Sequence, residues 1–568
     1  MMFSIHKLLI ATALLAISLV HAYVVNSDDS LCKSEIYCNG DVLHTIQMAK
    51  LYNDSKTFVD KKLKQSPQET VERFHEFMAE HGDNPSRDDI NQFVNTNFEE
   101  GNELHNWVPD DWIESPAYIS KIKDVTYRDF AKNLTKIWKI LGKIMKDEVA
   151  NNPELYSIIY VKHGIIVPGG RFLEFYYWDT YWIIRGLLQS QMYETVRGML
   201  RNFFSIIDRY GFIPNGGRIY YLTRTHPPML TSMVKSYIDF TNDKEFIAEA
   251  LPRLEAEFDY FQQNRLQNVN GYEMYTYGAP ITNGPRPESY YEDYDMAQRY
   301  FKTDKEKFKF YVNIVAAAES GMDFSSRWFI NNGSNNGKLF EVQTRSIVPV
   351  DLNAMIYFNA KTIAEFHNTL GNTNIVEKYR YKAQKLFEAV QAVLWNDEYG
   401  VWLDYDLINK TPRPYFAATN LSPLVFECYN TTDKPSIARK VLAYINRNET
   451  NIDRYPGGIP NTLLGTGEQW DYPNAWAPMQ HWISEGLRTL DDQTATDLAN
   501  KWTKRWILSN FIAFKESNYT AMYEKYLADT LGGHGGGGEY EVQVGFGWTN
   551  GVIIEYLAKY GHNITAFS

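Results

Sequence analysis

The chain contains no run or stripe of Lys and Arg: 57 basic residues stand against 69 acidic ones, for a net charge of −12. Nucleic acid is therefore not an expected partner, because a phosphate backbone demands clustered positive charge. Cysteine is scarce, three in 568 residues, which excludes a disulfide scaffold and any paired-cysteine metal motif. H-E-x-x-H is absent, and Asp293 and Asp295 form only an acidic loop, so metal chemistry has no obvious ligand set. There is no G-x-x-x-x-G-K-[ST] phosphate loop, and no lysine stands behind Gly535 to Gly538. A G-x-S-x-G nucleophile elbow is also missing. After residue 22 no apolar stretch is long enough to cross a bilayer. Strand-like alternation is sparse, and no repeat of fixed period appears.

Residues 1–22, MMFSIHKLLIATALLAISLVHA, combine a basic Lys7, an apolar run from Leu8 to Val20 and small-residue spacing ending at Ala22. This pattern predicts a secretory signal cut before Tyr23, and a secreted, extracellular product without a membrane anchor. Cys32 and Cys38 lie close enough to close a small loop in an oxidising compartment, leaving Cys428 unpaired; the alternative is that none is bonded. Sequons at Asn133, Asn430, Asn448 and Asn518 fit a secreted glycoprotein, although chance supplies several in a chain of this length.

The rest of the chain predicts an all-α body. Residues 23–110 read as a helical N-terminal segment lying on a main domain of residues 111–568, with AKLYNDSKTFVDKKL and ETVERFHEFMAEHG showing apolar residues at three- and four-residue steps. Leu188, Met192, Val196, Met199, Phe203 and Ile207 mark one helical face that Gly211 stops. Phe246–Phe261, Ala354–Phe366, Ile375–Leu394, Ile437–Ile445, Ala477–Leu487 and Leu498–Phe514 give further helices, and paired antiparallel packing would bury their faces. The 14 Trp and 40 Tyr suit either a large core or platforms on which sugar rings stack.

Between the helices, six loop blocks repeat one mixture of aromatic residues, carboxylates, arginine or amide groups and turn residues. Glu524 and Glu539 flank a glycine run whose backbone freedom suits a loop shaped around a ligand better than a linker. Asp323 follows Gly321 at the end of a helical run, where it is either a turn residue or an acid aimed at a ligand; Glu524 is either a solvated glutamate or a base. Arg171, Arg224 and Arg286 sit in aromatic, turn-rich loops, where they would bind phosphate or the hydroxyls of a sugar. Two carboxylates with aromatic platforms and polar side chains describe a glycoside-hydrolase site best.

PGGRFLEFYYWDTYW (168–182) and QWDYPNAWAP (469–478) resemble the two signature motifs of the trehalases, the inverting hydrolases of the α,α-1,1 disaccharide of glucose. NGGRIYYLTR, RPES, ESGMDFSSRW, EKY and GGGGEYEVQVGFGWTNG match further family blocks in the same order, over roughly residue 110 to the end. The resemblance is to the soluble animal, insect-like form. It implies an (α/α)6 toroid with its pocket at the loop-rich end, a monomer, no cofactor, and trehalose as the small-molecule substrate. It also implies Asp323 as general acid and Glu524 as general base, standing about 6.5–9.5 Å apart around one water. Glu539 would position that water or bind sugar. Arg171, Phe172, Trp178, Asp179, Asn215, Arg224, Thr225, His226, Arg286, Glu288, Gly321 and Trp470 would be substrate-binding.

Two departures from the family pattern stand out. Arg224-Thr225-His226-Pro227-Pro228 replaces the usual R-S-Q-P-P, and an imidazole at His226 is able to gain charge near pH 6.5, which would shift the pH profile or weaken binding. Glu468 stands where glutamine is common. Arg286 and Glu288 are expected to pair and hold the pocket's shape. The alternatives are another (α/α)6 glycosidase with a different substrate, or a non-catalytic secreted sugar-binding relative; retention of both Asp323 and Glu524 argues against the second.

Overall fold

The computed structural model describes residues 32–278, 284–518, 520 and 522–566; the signal sequence expected over residues 1–22 lies outside them. Six helices form an inner ring: Asp179–Gln189, Leu230–Thr241, Val350–Thr369, the short Ser422–Val425, Ala477–Arg488 and Gly547–Tyr560. Each packs on the next, and the last returns to the first. Six others alternate with them along the chain: Val125–Leu141, Tyr193–Tyr210, Lys244–Asn264, Thr373–Val393, Lys434–Ile445 and Gln493–Glu516. This is the expected (α/α)6 toroid, and the reason for its two rings is legible in the helices. Inner ones such as Ala477–Arg488 are buried nearly all round, whereas outer ones such as Tyr193–Tyr210 bury one stripe.

Ring closure depends on two glycines. A Cβ on Gly186 would lie 2.6 Å from the Cα of Gly551, and one on Gly551 would lie 2.1 Å from the carbonyl oxygen of Trp182, so the first and last inner helices touch backbone to backbone. Deeper in the ring, Glu555 is held by Arg185 and by Lys559 at 2.7 Å, and Lys559 also reaches Glu485 at 2.6 Å, which ties the first, fifth and sixth inner helices together. Local signals set the helix ends. Asp243 and Asp492 cap their helices by accepting backbone N–H bonds, Thr303 and Glu306 form a reciprocal capping box before Asp304–Glu319, and Gly211 closes Tyr193–Tyr210 at φ 79°.

Two sequence expectations need correction. The single face from Leu188 to Ile207 belongs to two helices separated by a turn at residues 190–192, with Gln191 at φ 63°. The apolar period runs through the break because both helices face the same core, and no Gly or Pro marks it. In AKLYNDSKTFVDKKL only Lys56–Val59 is helical, because the Asp54 side chain accepts the N–H of Lys56 at 2.9 Å and holds a turn.

Residues 33–110 are stitched to the ring by buried charge. Lys56 Nζ lies 2.8 Å from Glu174, and Arg218 Nη1 lies 2.7 Å from Glu103. The strand Leu104–Asn106 pairs antiparallel with Gly142–Met145. Cys32 and Cys38 are disulfide-bonded with Cα atoms 6.1 Å apart, and Cys428 is a buried free thiol.

Candidate active site

The N-terminal ends of three inner helices, marked by Asp179, Trp476 and Trp548, meet the long loops around a cavity that encloses about 800 Å³ including its mouth. That volume falls in the range of small-molecule sites. Its floor is aromatic: Trp470 stacks on Trp476 with centroids 3.9 Å apart, and Trp178 and Trp548 meet this pair edge-on or tilted. Most of the remaining tryptophans are core, so the two uses of aromatic residues divide by place.

Asp323 reaches the cavity from the loop after Asp304–Glu319. Gly321 makes this loop possible. Its φ is 75°, and a Cβ there would lie 2.6 Å from the Trp178 indole. The loop is fastened behind by the N–H of Trp470, which donates to the Phe324 carbonyl at 3.0 Å, and by the Gln469 amide, which donates to the carbonyl of Asp323. Burial, then the negative charge of Glu539, push the Asp323 carboxyl up to about 7.

Glu524 enters the same cavity immediately before the strand Lys525–Leu527, which pairs with Asn474–Trp476. It is buried and is no solvated helix glutamate. Its Oε1 accepts the Tyr540 hydroxyl at 2.8 Å. Burial raises its pKa, opposed first by the Lys525 charge and then by the Tyr540 hydrogen bond. Asp179 lies near both carboxyls and is pushed well up, chiefly by burial and further by the charges of Glu524 and Asp323.

Each of the three arginines faces the cavity with a carboxylate partner. Arg171 Nη2 is 2.7 Å from Asp54 and its guanidinium lies 4.7 Å from the Tyr540 ring. Arg224 donates from Nε to Asn215 at 2.6 Å and from Nη2 to Glu288 at 2.7 Å. Arg286 grips Asp293 at 2.7 and 2.8 Å and Glu539 at 2.8 Å. The expected Arg286–Glu288 pair is therefore not formed: Glu288 belongs to Arg224, because Asp293, seven residues on from Arg286 in the following helix, already occupies the Arg286 fork. Among the described residues the Arg224 Nη1 and Glu288 Oε2 atoms are buried at the cavity without a hydrogen-bond partner, one donor and one acceptor.

His226 also differs from expectation. It is fully buried, its Nε2 accepts the Asn215 amide at 2.9 Å, and burial with the neighbouring Arg224 charge drives its pKa well below the usual value. The ring stays neutral, and the charge gain near pH 6.5 does not arise. Thr225 does not line the cavity; its N–H donates to Glu319 at 3.1 Å and its hydroxyl to the Ile213 carbonyl at 2.6 Å. The other residues named from the sequence, Phe172 included, do line it. Glu468 stands outside the lining, pushed up to about 7 by burial and by Glu539.

Sequence reasoning passed over several lining residues. Trp476, Tyr540 and Trp548 lie inside the quoted blocks, where nothing distinguishes them from core aromatics. Asp54 and Lys56 carry no local signal; they reach the cavity from the N-terminal segment. The glycine run lies flat on the 467–474 block: a Cβ at Gly537 would lie 2.7 Å from the Gly467 carbonyl oxygen and one at Gly538 2.8 Å from Gln469.

The trehalase family model matches residues 50–561 of this chain. The chain is 49% identical to a trehalase of Apis mellifera over 561 residues, covering 98% of this chain and 89% of that one. With a trehalase of Homo sapiens it shares 44% identity over 540 residues, covering 94% and 91%. Among solved structures, the neutral trehalase of Saccharomyces cerevisiae superposes with a TM-score of 0.56 at 23% identity, over 70% of this chain and 75% of that one.

Proposed function

The chain belongs to the trehalase family, a glycoside hydrolase that cleaves trehalose, and from that premise we propose that Asp323 protonates the glycosidic oxygen while Glu524 activates the attacking water, with inversion. One observation carries the assignment. The two buried carboxyls share a cavity but have opposite charged neighbours, Glu539 raising Asp323 and Lys525 opposing the rise of Glu524. Such a split gives one acid and one base from two like groups. With Asp323 near 7, the protonated acid is present at mildly acidic pH, and activity falls as pH rises through that value.

The Arg224 Nη1 and Glu288 Oε2 atoms suit a neutral sugar, whose hydroxyls both donate and accept. The carboxylate partners of Arg171, Arg224 and Arg286 leave little net positive charge for phosphate. In the same reading Trp178, Trp470 and Phe172 face the sugar rings, and Glu539 orients the water or a hydroxyl. NMR of the products at early times, expected to show one α- and one β-glucose per bond cut, tests inversion. D323N and E524Q are expected to lose turnover by orders of magnitude with the fold retained, and near-normal turnover in either removes that residue from its role.

The protein is further read as a secreted, glycosylated monomer. The Cys32–Cys38 bond supports an oxidising compartment. An N-terminus other than Tyr23 on the secreted product would refute the predicted cleavage.

A further inference from the structure

Lys525 is a buried cation whose opposing charges, Glu524 and Asp323, act on it from beyond ion-pair distance. Its Nζ donates to the Gln469 Oε1 and to the Gly537 carbonyl, both at 2.9 Å, and the rings of Trp476 and Tyr540 lie 5.3 and 5.9 Å away. Among the described residues no carboxylate forms an ion pair with it, and it is fully inaccessible to solvent. Burying an ammonium against neutral oxygens and ring faces is costly, and burial depresses its pKa to about 8. The core would be better served by an apolar residue unless the charge has a use.

Its surroundings supply one. Gln469 receives the ammonium on its oxygen and gives its amide to the carbonyl of Asp323. The Lys525 backbone carbonyl accepts the N–H of Gly535 at 2.9 Å, and its ammonium holds Gly537, so both ends of that side chain and backbone unit grip the loop that ends in Glu539. The charged and titratable groups that act on Glu524 are Lys525, the next residue in the chain, the Tyr540 hydroxyl, Arg171 from the 168–182 block and the Asp179 carboxyl, and Asp323 acts with Glu524 on both Asp179 and Tyr540. Both cations favour the ionised form of Glu524; Lys525 does so more strongly, and Arg171, paired with Asp54, less.

We propose that Lys525 is a positioning residue of trehalose hydrolysis: it keeps Glu524 ionised and, through Gln469, fastens the backbone of Asp323 to the glycine loop. This rests on Glu524 being the general base. Arginine in the same slot preserves the charge, methionine removes it, and Q469M cuts the tether while sparing the charge.

The test is the pH dependence of kcat on trehalose for the full chain, with folding followed by circular dichroism. K525M is expected to lower kcat and move the acid limb upward by about one pH unit, as loss of a nearby opposite charge does. Q469M is expected to lower kcat with the limb in place, and K525R to leave the limb in place. An unmoved limb in folded K525M overturns the proposal. A limb displaced by about a unit in K525R overturns it as well, whether or not K525M folds. E524Q separates the two assignments: if it is inactive while the K525M limb is unmoved, only the role of Lys525 falls, and if it stays active the base itself is misassigned.

Discussion

Replacing His226 with glutamine brings the Arg224–Pro228 block closer to the trehalase pattern and isolates the effect of one buried imidazole. In the folded protein burial and Arg224 hold its pKa well below the usual value, whereas in the unfolded chain it is about 6.5. The unfolded state therefore takes up a proton that the folded state refuses. Stability from this residue is complete above about pH 6.5 and is lost as the pH falls below it. The loss follows RT ln(1 + 10^(6.5 − pH)), about 0.1 kcal/mol at about pH 7.5 and about 1.4 kcal/mol at about pH 5.5. Glutamine carries no such proton, and its carbonyl oxygen still accepts the Asn215 amide. Urea unfolding of both proteins at these two pH values should show H226Q gaining on the parent by about 1.3 kcal/mol at the lower pH. The acid limb of activity should coincide in the two proteins. A stability difference independent of pH, or a displaced limb in H226Q, would show that His226 titrates in the folded state and refute the reasoning.

R224K removes a fork that serves Asn215, Glu288 and the cavity at once, which a single ammonium does not span. Loss of a charge-assisted hydrogen bond costs about 1.5–3 kcal/mol, roughly 10- to 150-fold in kcat/KM on trehalose; a loss below about threefold contradicts the role. G321A forces a side chain into a left-handed conformation and against the Trp178 indole. It is expected to cost at least about 1–3 kcal/mol in urea unfolding and to lower kcat because Asp323 stands two residues on; an unchanged midpoint and kcat would refute it.

Much of this site was legible before any fold. Asp323, Glu524 and the three arginines stood out because carboxylates and cations sat among aromatic and turn residues, and the family blocks ordered them. The helices were legible where a polar cap or a terminal glycine coincided with the apolar period, as at Asp243 and Gly211. The break at residues 190–192 escaped because the period carries on through it.

Partner choice was another matter. Arg286 lies two residues from Glu288 and seven from Asp293, yet it binds the second, and Glu539 reaches it across more than two hundred residues of chain. Asp54, a turn residue in the N-terminal segment, becomes the partner of Arg171. The pattern of side chains along the chain determined which helices form and which groups are chemically able to react, since those depend on neighbours a few residues apart. Which carboxylate meets which cation, which ring nitrogen is shut away from water, and which oxygens the Lys525 ammonium grips were decided only by closure of the ring, because burial and charge act through space and the sequence records no distances between its loops.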